Sequence, residues 1–402
     1  MTSDVERAID ELQRSGRLQD VALYAFGHTA ATEQMRRRLG LYDLTLTGVF
    51  DNNPAKQGSS LHGVPVIAPD AIADASVPSV VLIASRFHSG MRQQLLNLGY
   101  AGEIIRVGTL SIEADTASGT DPDRGARLLG QLRIAHPDRH LVVCPFGALG
   151  DVYWALAYLP AFAAGGRPLA PVVVVVVGEG CRQVARLFGH GDVHSLSQVE
   201  MDDLVGAVVD ARASDATIAH HDRPYGDDAP VRALDQRFVA FTDMYRDLVY
   251  KLPARSQPRA PTRHVPAQAR PDAPSWAGQI PQGRGVLMAP YAKSVMPVPL
   301  SFWEDTAKRH ASQGHVVATV VHGDEEPVPG TLALEIPISQ MLDAVEHAGT
   351  FVSLRSGLCD VVHTARARKI HAFPDAHYST TPYKVADFFA LPGWESVVLQ
   401  VS

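Results

Sequence analysis

The fold is decided by residues 351–374, which read Phe-Val-Ser-Leu-Arg-Ser-Gly-Leu-Cys-Asp-Val-Val-His-Thr-Ala-Arg-Ala-Arg-Lys-Ile-His-Ala-Phe-Pro. A short apolar run ends at Arg355, a helical pattern follows Gly357, and a second apolar run covers residues 369–373. The order of strand, glycine turn, helix and strand is typical of a βαβ unit in a parallel sheet. The stretch therefore predicts an α/β protein.

The turn of this unit carries the first candidate binding residues. Ser356, the Gly357 amide and Leu358 open the helix at the end of a strand, beside the cationic Arg355. Free amides at a helix N-terminus and a nearby guanidinium suit an anionic group such as a diphosphate. The same residues equally fit an ordinary helix start capped by Ser356. The spacing leaves both interpretations open.

Composition limits the class of protein. The 402 residues are 46% hydrophobic and 20% charged, which predicts a soluble globular chain of two or three domains. A formal net charge of −7 argues against a nucleic-acid binder. The three cysteines lie far apart, so we expect neither a disulfide framework nor a zinc site, and a cytoplasmic location. Peripheral membrane contact and the oligomeric state stay open.

Residues 1–115 predict a small Rossmann-like domain of their own. A strand ending near Gly27 is followed by a helix and by a second strand that ends at Asp51. In nucleotide-binding folds a carboxylate at this position meets a ribose, although Asp51 also fits a simple turn. A dinucleotide fingerprint would supply three glycines, and only Gly27 is present.

Residues 128–252 predict a second α/β lobe. The strand at 141–144 leads into Gly147-Ala148-Leu149-Gly150-Asp151, so a carboxylate lies at the start of a helix. Asp151 fits a capping residue that complements the helix dipole, and it also fits a general base. We further predict a strand at 205–209 and an amphipathic helix near 238–252.

A histidine pair near the end of this lobe is a further candidate. His220 and His221 precede Asp222, but no third histidine follows at helical spacing, so a metal site is not favoured. An acceptor-facing role and a surface loop both remain open. Residues 253–284 are rich in proline and predict an unpacked linker, and residues 285–402 predict a last α/β lobe with a C-terminal helix.

Two resemblances add to these patterns. Residues 49–58 and His62-Gly63-Val64-Pro65-Val66 resemble the small Rossmann-like domain at the front of bacterial sugar O-acyltransferases. Residues 147–152 resemble the N-terminal motif of the ADP-heptose:lipopolysaccharide heptosyltransferases, which are glycosyltransferases of the two-lobed GT-B type. The Asp-Thr-Gly-Leu-x-His motif of that family corresponds here to Arg355-Ser356-Gly357-Leu358-Cys359-Asp360, with three positions changed.

The second resemblance implies roles for individual residues. It implies that Asp151 is the catalytic base. Gly150, His220 and His221 are the candidates for the acceptor side. It also implies a donor side that consists of Lys293, Ser294, Arg355, Ser356, Gly357, Leu358 and Asp360.

Taken together, the expected fold is three Rossmann-like lobes: a small N-terminal domain followed by a GT-B pair. The leading functional hypothesis is a metal-independent glycosyltransferase of polysaccharide or glycoconjugate biosynthesis. A nucleotide-sugar would be its substrate, with no cofactor, and the acceptor a glycan or small-molecule hydroxyl. A phosphotransferase of the CDP-glycerol type and a non-catalytic nucleotide-sugar binding protein are the alternatives. An NAD-dependent oxidoreductase is disfavoured by the missing glycines.

Overall fold

We describe the protein from a computed structural model. The described residues are 4–54, 56–74, 78–84, 88–107, 121–165, 171–220, 234, 237–261, 274–292, 298–323, 325–378 and 381–400. Within them the strands form three separate sheets that follow one another along the chain. The predicted α/β fold of three Rossmann-like units is therefore confirmed.

The first sheet has the order β3-β4-β2-β1-β5-β6 and is parallel except for the short β3–β4 pairing. Its strands are β1 Ala22–Phe26, β2 Leu46–Phe50, β3 Ser60–Leu61, β4 Val64–Ile67, β5 Ser79–Ile83 and β6 Glu103–Arg106. The helices of this unit are α1 Asp4–Arg14, α2 Ala30–Gly40 and α3 His88–Asn97, with a 3₁₀ turn at Pro69–Asp74.

The second sheet is fully parallel, with the order β10-β7-β8-β9. Its strands are β7 His140–Val143, β8 Val172–Val177, β9 Val193–Leu196 and β10 Ala216–Ile218. The helices are α4 Pro122–Ala135, α5 Leu149–Ala164, α6 Gly178–Leu187, α7 Gln198–Asp210 and α8 Phe241–Met244, which continues as a π-helix over Tyr245–Val249. The all-valine β8 is buried along its centre, as expected of a parallel strand that is covered on both faces.

The third sheet is also parallel, with the order β13-β12-β11-β14-β15-β16. Its strands are β11 Gly285–Ala289, β12 Val316–Val320, β13 Leu332–Leu334, β14 Gly349–Leu354, β15 Arg368–Pro374 and β16 Glu395–Leu399. The helices are α9 Leu300–Ser312, α10 Met341–Ala348, α11 Gly357–Val361 and α12 Val385–Phe388, with a 3₁₀ turn at Ile338–Gln340. The chain that leaves α12 returns to this sheet as its edge strand β16 instead of ending in a helix.

The second and third units share one hydrophobic core. A single cluster of buried side chains runs from Val142 on β7 to Leu391 beyond α12. It includes Tyr245 of the π-helix and Phe351 of β14, which belong to different units. These two lobes are therefore packed together over a continuous apolar interface.

Three local predictions are corrected by the structure. Residues 205–209 belong to helix α7 and not to a strand, and the helix expected at 238–252 is the short α8 with its π-helical extension. Part of the predicted linker is packed: Trp276 and Ile280 are buried in the shared core. The Trp276 indole donates to the Gln340 side chain at 2.9 Å. Apolar side chains among the prolines hold this segment in place.

Within the part of the chain that the structure describes, none of the helices has the length and apolar character needed to cross a membrane.

Candidate functional site

The strand order reverses at one point in the second sheet and at one point in the third sheet, and these two points lie near each other. In the second sheet the reversal separates β7 from β10, and in the third sheet it separates β11 from β14. Ligands of open α/β sheets bind outside the carboxyl ends of the strands at such a topological switch point. Asp151 follows β7 and His220 follows β10, while residues 355–358 follow β14. Asp151, His220 and residues 355–358 therefore lie at the two switch points.

Asp151 occupies the first turn of α5, directly after the glycine turn of β7. Its carboxylate oxygen Oδ1 lies 2.6 Å from the Tyr245 hydroxyl and 3.2 Å from His220 Nε2. Its side chain keeps 21% of its surface exposed. A partly exposed carboxylate, held by neighbouring donors at a sheet edge, is suited to proton transfer.

His220 is brought to Asp151 by the parallel pairing of β10 with β7, in which Ile218 lies opposite Val143. The His220 side chain is only 3% exposed, and the Phe146 ring packs against it with centroids 4.5 Å apart. Its neighbour His221 lies outside the described residues. Among the described residues there is no group of three or more His, Cys, Asp or Glu side chains that could hold a metal ion.

Tyr245 is a site residue that sequence analysis missed. It begins the π-helix, and the amide of Tyr250 closes the wide turn by donating to the Tyr245 carbonyl at 3.1 Å. Asp151 and Tyr245 are 94 residues apart in the chain, and no local pattern links the two. Only the packing of the π-helix against α5 reveals the contact.

Two glycines bring the lobes into contact beside this carboxylate. A Cβ atom added to Gly357 would lie 2.5 Å from the backbone nitrogen of Gly150, where real side chains do not fit. The first turns of α5 and α11 therefore meet backbone to backbone, and Asp151 follows Gly150 directly. Both glycines were predicted to contact substrate, and the structure gives them this packing role.

Arg355 and Asp360 form a buried ion pair. The Arg355 guanidinium donates to both oxygens of Asp360 at 2.8 Å, to the Phe389 carbonyl at 2.8 Å and to the Ser356 carbonyl at 2.6 Å. The two side chains are 4% and 1% exposed. Their predicted contact with a donor stays a prediction, because the structure shows the two groups bound to each other.

The ion pair also connects the lobes. The Trp154 indole on α5 donates to Asp360 Oδ1 at 2.8 Å, and the ring of Phe389 lies under the Arg355 guanidinium. Burial alone would lower the pKa of Arg355, but the Asp360 carboxylate outweighs it and the pKa lies above its usual range. Arg355 therefore stays charged inside the interface.

The remaining donor-side predictions divide into two groups. Ser356 and Leu358 are half-buried, and the Ser356 hydroxyl accepts from the Leu358 amide at 3.3 Å, as expected of a capping residue. Lys293 and Ser294 lie outside the described residues. Their predicted contact with a donor stays a prediction.

In the first domain Asp51 is engaged by its own unit. Its carboxylate accepts from the backbone amides of His28 and Asn53, both at 2.8 Å, and Lys56 Nζ lies 3.4 Å away. The side chain is about one-tenth exposed. The geometry favours the turn interpretation over a ribose contact, because backbone amides occupy both carboxylate oxygens.

Comparisons with known proteins were made at three levels. No protein-family model matches the sequence, and no curated protein matches it. Among solved structures, E. coli ADP-heptose lipopolysaccharide heptosyltransferase II is 13% identical with a TM-score of 0.43, over 66% of this chain and 91% of that chain. A glycosyl transferase family 9 protein from Veillonella parvula is 12% identical with a TM-score of 0.41, over 65% and 86%.

A third structure is the iron-containing dodecameric glycosyltransferase TibC from enterotoxigenic E. coli. It is 15% identical with a TM-score of 0.39, and the match covers 58% of this chain and 59% of TibC. The match thus spans less than two-thirds of the length of TibC. At such values these likenesses assign no chemistry.

Proposed function

We propose that the protein is a glycosyltransferase of the GT-B type. It moves a sugar from a nucleotide-activated donor to a hydroxyl of a glycan or small molecule. The observation that carries the proposal is the partly exposed Asp151 carboxylate at the switch point of one lobe, next to Gly150, which meets Gly357 at the switch point of the other lobe. Two opposed switch points offer one crevice for two substrates, with a base beside it.

In the proposed reaction the acceptor hydroxyl loses its proton to Asp151. The acceptor oxygen forms a bond to the anomeric carbon, and the bond from that carbon to the donor phosphate breaks. A nucleoside diphosphate leaves, and the proton on Asp151 passes to solvent. Correct placement of a general base contributes on the order of 10²–10⁴-fold to such a rate.

The donor is assigned to the last lobe and the acceptor to the middle lobe. Ser356 and Leu358 follow β14, beside the switch point of the third sheet. Lys293 and Ser294 stay predicted members of the same donor side. Lysine and backbone amides can neutralise a leaving diphosphate without a metal ion or other cofactor. We therefore expect turnover to survive EDTA.

We place the reaction in the cytoplasm. The free thiols of Cys144, Cys181 and Cys359 are all buried in the folded chain, which fits a reducing compartment. A surface contact with a membrane stays compatible with this location.

The first test is nucleotide binding. ADP, GDP, UDP, CDP and NAD are each titrated while the unfolding temperature is recorded. A bound nucleotide stabilises the folded chain by roughly 2.7 kcal/mol at a hundredfold excess over Kd. We expect one nucleoside diphosphate to stabilise both the wild type and Asp151→Asn, because the base lies on the acceptor side.

The outcomes separate the functions. Stabilisation by one nucleotide, followed by sugar transfer from the matching nucleotide-sugar, supports the proposal. Binding of CDP with transfer of a phosphoalcohol would instead indicate a phosphotransferase. Binding without any turnover in the wild type would indicate a sensor or scaffold. If no nucleotide stabilises the protein, the proposal is overturned.

A further inference from the structure

The site contains more machinery than a single base. The Tyr245 hydroxyl and His220 Nε2 both face the same oxygen, Asp151 Oδ1, at 2.6 Å and 3.2 Å. A carboxylate only accepts hydrogen bonds, so both neighbours act as donors and the Nε2 nitrogen of His220 carries the proton. Three elements that are distant in sequence thus converge on one oxygen: the α5 N-terminus, the end of β10 and the π-helix.

Burial distinguishes the base from its supports. An aspartate beside a histidine could also act in the reverse order, with the carboxylate orienting the imidazole as in hydrolase triads. Here the His220 side chain is 3% exposed and the Asp151 side chain is 21% exposed. Phe146 closes one face of the imidazole. The carboxylate is therefore the more accessible of the two groups, and His220 supports it from the buried side.

The π-helix explains how Tyr245 is aimed. Its wide turn is closed by Tyr250 donating to the Tyr245 carbonyl at 3.1 Å, and beyond the π-helix Leu252 donates to the Arg246 carbonyl at 2.8 Å. The Tyr245 hydroxyl then meets Asp151, while the Tyr250 hydroxyl donates to the Ala155 carbonyl of α5 at 2.8 Å. Single π-turns within helices are frequently found at functional sites.

Asp151 also interacts with two more distant groups. Besides His220 and Tyr245, the carboxylate interacts electrostatically with Cys144 after β7 and with the Arg355 guanidinium after β14. Burial first, and then the Asp151 charge among others, raises the pKa of Cys144, so its thiol stays neutral. Arg355 is held by Asp360. His220 and Tyr245 are two hydrogen-bond donors at Asp151.

We propose that Tyr245 and His220 are positioning residues, which fix the plane of the Asp151 carboxylate and keep it ionised for removal of the acceptor proton. The inference rests on the proposed function, in which Asp151 is the base. It gives Tyr245 and His220 a role in the transfer step, although neither touches the reacting atoms.

The test compares two tyrosines of one segment. Tyr245→Phe and Tyr250→Phe each remove one hydrogen-bonded hydroxyl, but only the first removes a donor to Asp151. UDP-glucose, GDP-mannose and ADP-glucose are the probes, with release of the nucleoside diphosphate as readout. We expect Tyr245→Phe to lower kcat on the order of 10-fold with the donor KM unchanged. Its acidic limb in the pH–rate profile should move to higher pH, because a carboxylate that loses a donor is protonated more easily. Tyr250→Phe should do neither.

A second pair of variants tests His220. In His220→Gln the amide nitrogen takes a position close to that of Nε2, so we expect activity near the wild type. His220→Leu removes the donor and should lose activity to a similar extent as Tyr245→Phe. If Gln and Leu behave alike, His220 acts through packing and not through positioning.

A double-mutant cycle on unfolding free energy, with Asp151→Ala and Tyr245→Phe, needs no substrate, because each single change removes one partner of the hydrogen bond. Coupling between the two is expected, and its absence overturns the inference whatever the function. If the cycle shows coupling but Tyr245→Phe has the same kinetics as Tyr250→Phe, the inference is also overturned, while the proposed function stands. If wild type turns over no donor and binds no nucleotide, the proposed function has failed, and the inference fails with it.

Discussion

Two aspartates at the junction of the lobes have opposite surroundings. Asp151 is partly exposed and its known donors are a hydroxyl and an imidazole. Asp360 is 1% exposed and is neutralised by the guanidinium of Arg355. A carboxylate that exchanges a proton needs access to solvent or substrate, whereas a fully buried carboxylate needs a charge partner. Under the proposed function, the same residue type is a base at one switch point and half of a buried ion pair at the other.

The largest effect is expected at Asp151. Asp151→Asn keeps the shape of the side chain but cannot take the acceptor proton, so turnover should fall on the order of 10²–10⁴-fold. Release of nucleoside diphosphate measures it. The unfolding midpoint should change little, since the amide is isosteric. A variant with wild-type turnover would remove Asp151 from the reaction.

The buried pair should respond in stability. Arg355→Met leaves Asp360 charged and buried, at a cost of about 3–5 kcal/mol in unfolding free energy. The matched control is Arg368→Met, since Arg368 also binds both oxygens of a carboxylate, that of Glu395, at 2.8 Å. That pair is more than half exposed, and its loss should cost at most about 1 kcal/mol. Equal losses in urea unfolding would contradict the contrast drawn between buried and exposed pairs.

The glycine contact between the lobes should be intolerant of a methyl group. Gly357→Ala places its Cβ 2.5 Å from the Gly150 backbone nitrogen, and the overpacking should cost about 1–3 kcal/mol. Because the two first turns are forced apart beside Asp151, turnover should fall as well.

The control for this prediction is Gly206→Ala in α7. Nothing lies within 4 Å of an added Cβ there, and alanine is the better helix former, so stability should rise by up to about 1 kcal/mol. Destabilisation of the same size in both variants would show that the lobe contact has no special role.

The last prediction concerns pH. Burial, and then the charge of Arg355, lowers the pKa of His371 from 6.5 to about 3. Between about pH 6.5 and pH 3, the unfolded chain therefore binds a proton at this histidine that the folded chain does not bind. The full contribution to the free energy of unfolding is present above this window. It is lost as the pH is lowered through the window, by up to about 1.4 kcal/mol per pH unit.

Urea unfolding at pH 7, 6 and 5 measures this dependence. His371→Asn should show a flatter dependence than wild type. Parallel slopes for wild type and His371→Asn would contradict the assignment.

How much was predictable differs between the sheets and the contacts. The order of strand, helix and strand in residues 351–374 and the valine run of β8 were sufficient to predict a parallel α/β fold. Residues 205–209 were mistaken for a strand because a short apolar run does not distinguish a strand from a buried helix. In the structure Val205 and Val208 are buried and Val209 is exposed, which is a helical pattern. The buried Trp276 was missed because proline-rich composition does not reveal one anchoring side chain.

By itself, the sequence determined the three Rossmann-like units and put Asp151, His220 and residues 355–358 after particular strands. Strand ends of parallel sheets meet at one edge, so local patterns carry that information. Only the tertiary structure decided that Arg355 and Asp360 neutralise each other, that Gly150 meets Gly357, and that Tyr245 reaches Asp151. These contacts join residues far apart in the chain or depend on how deeply a charge is buried. Burial and long-range contact arise only when the lobes pack together.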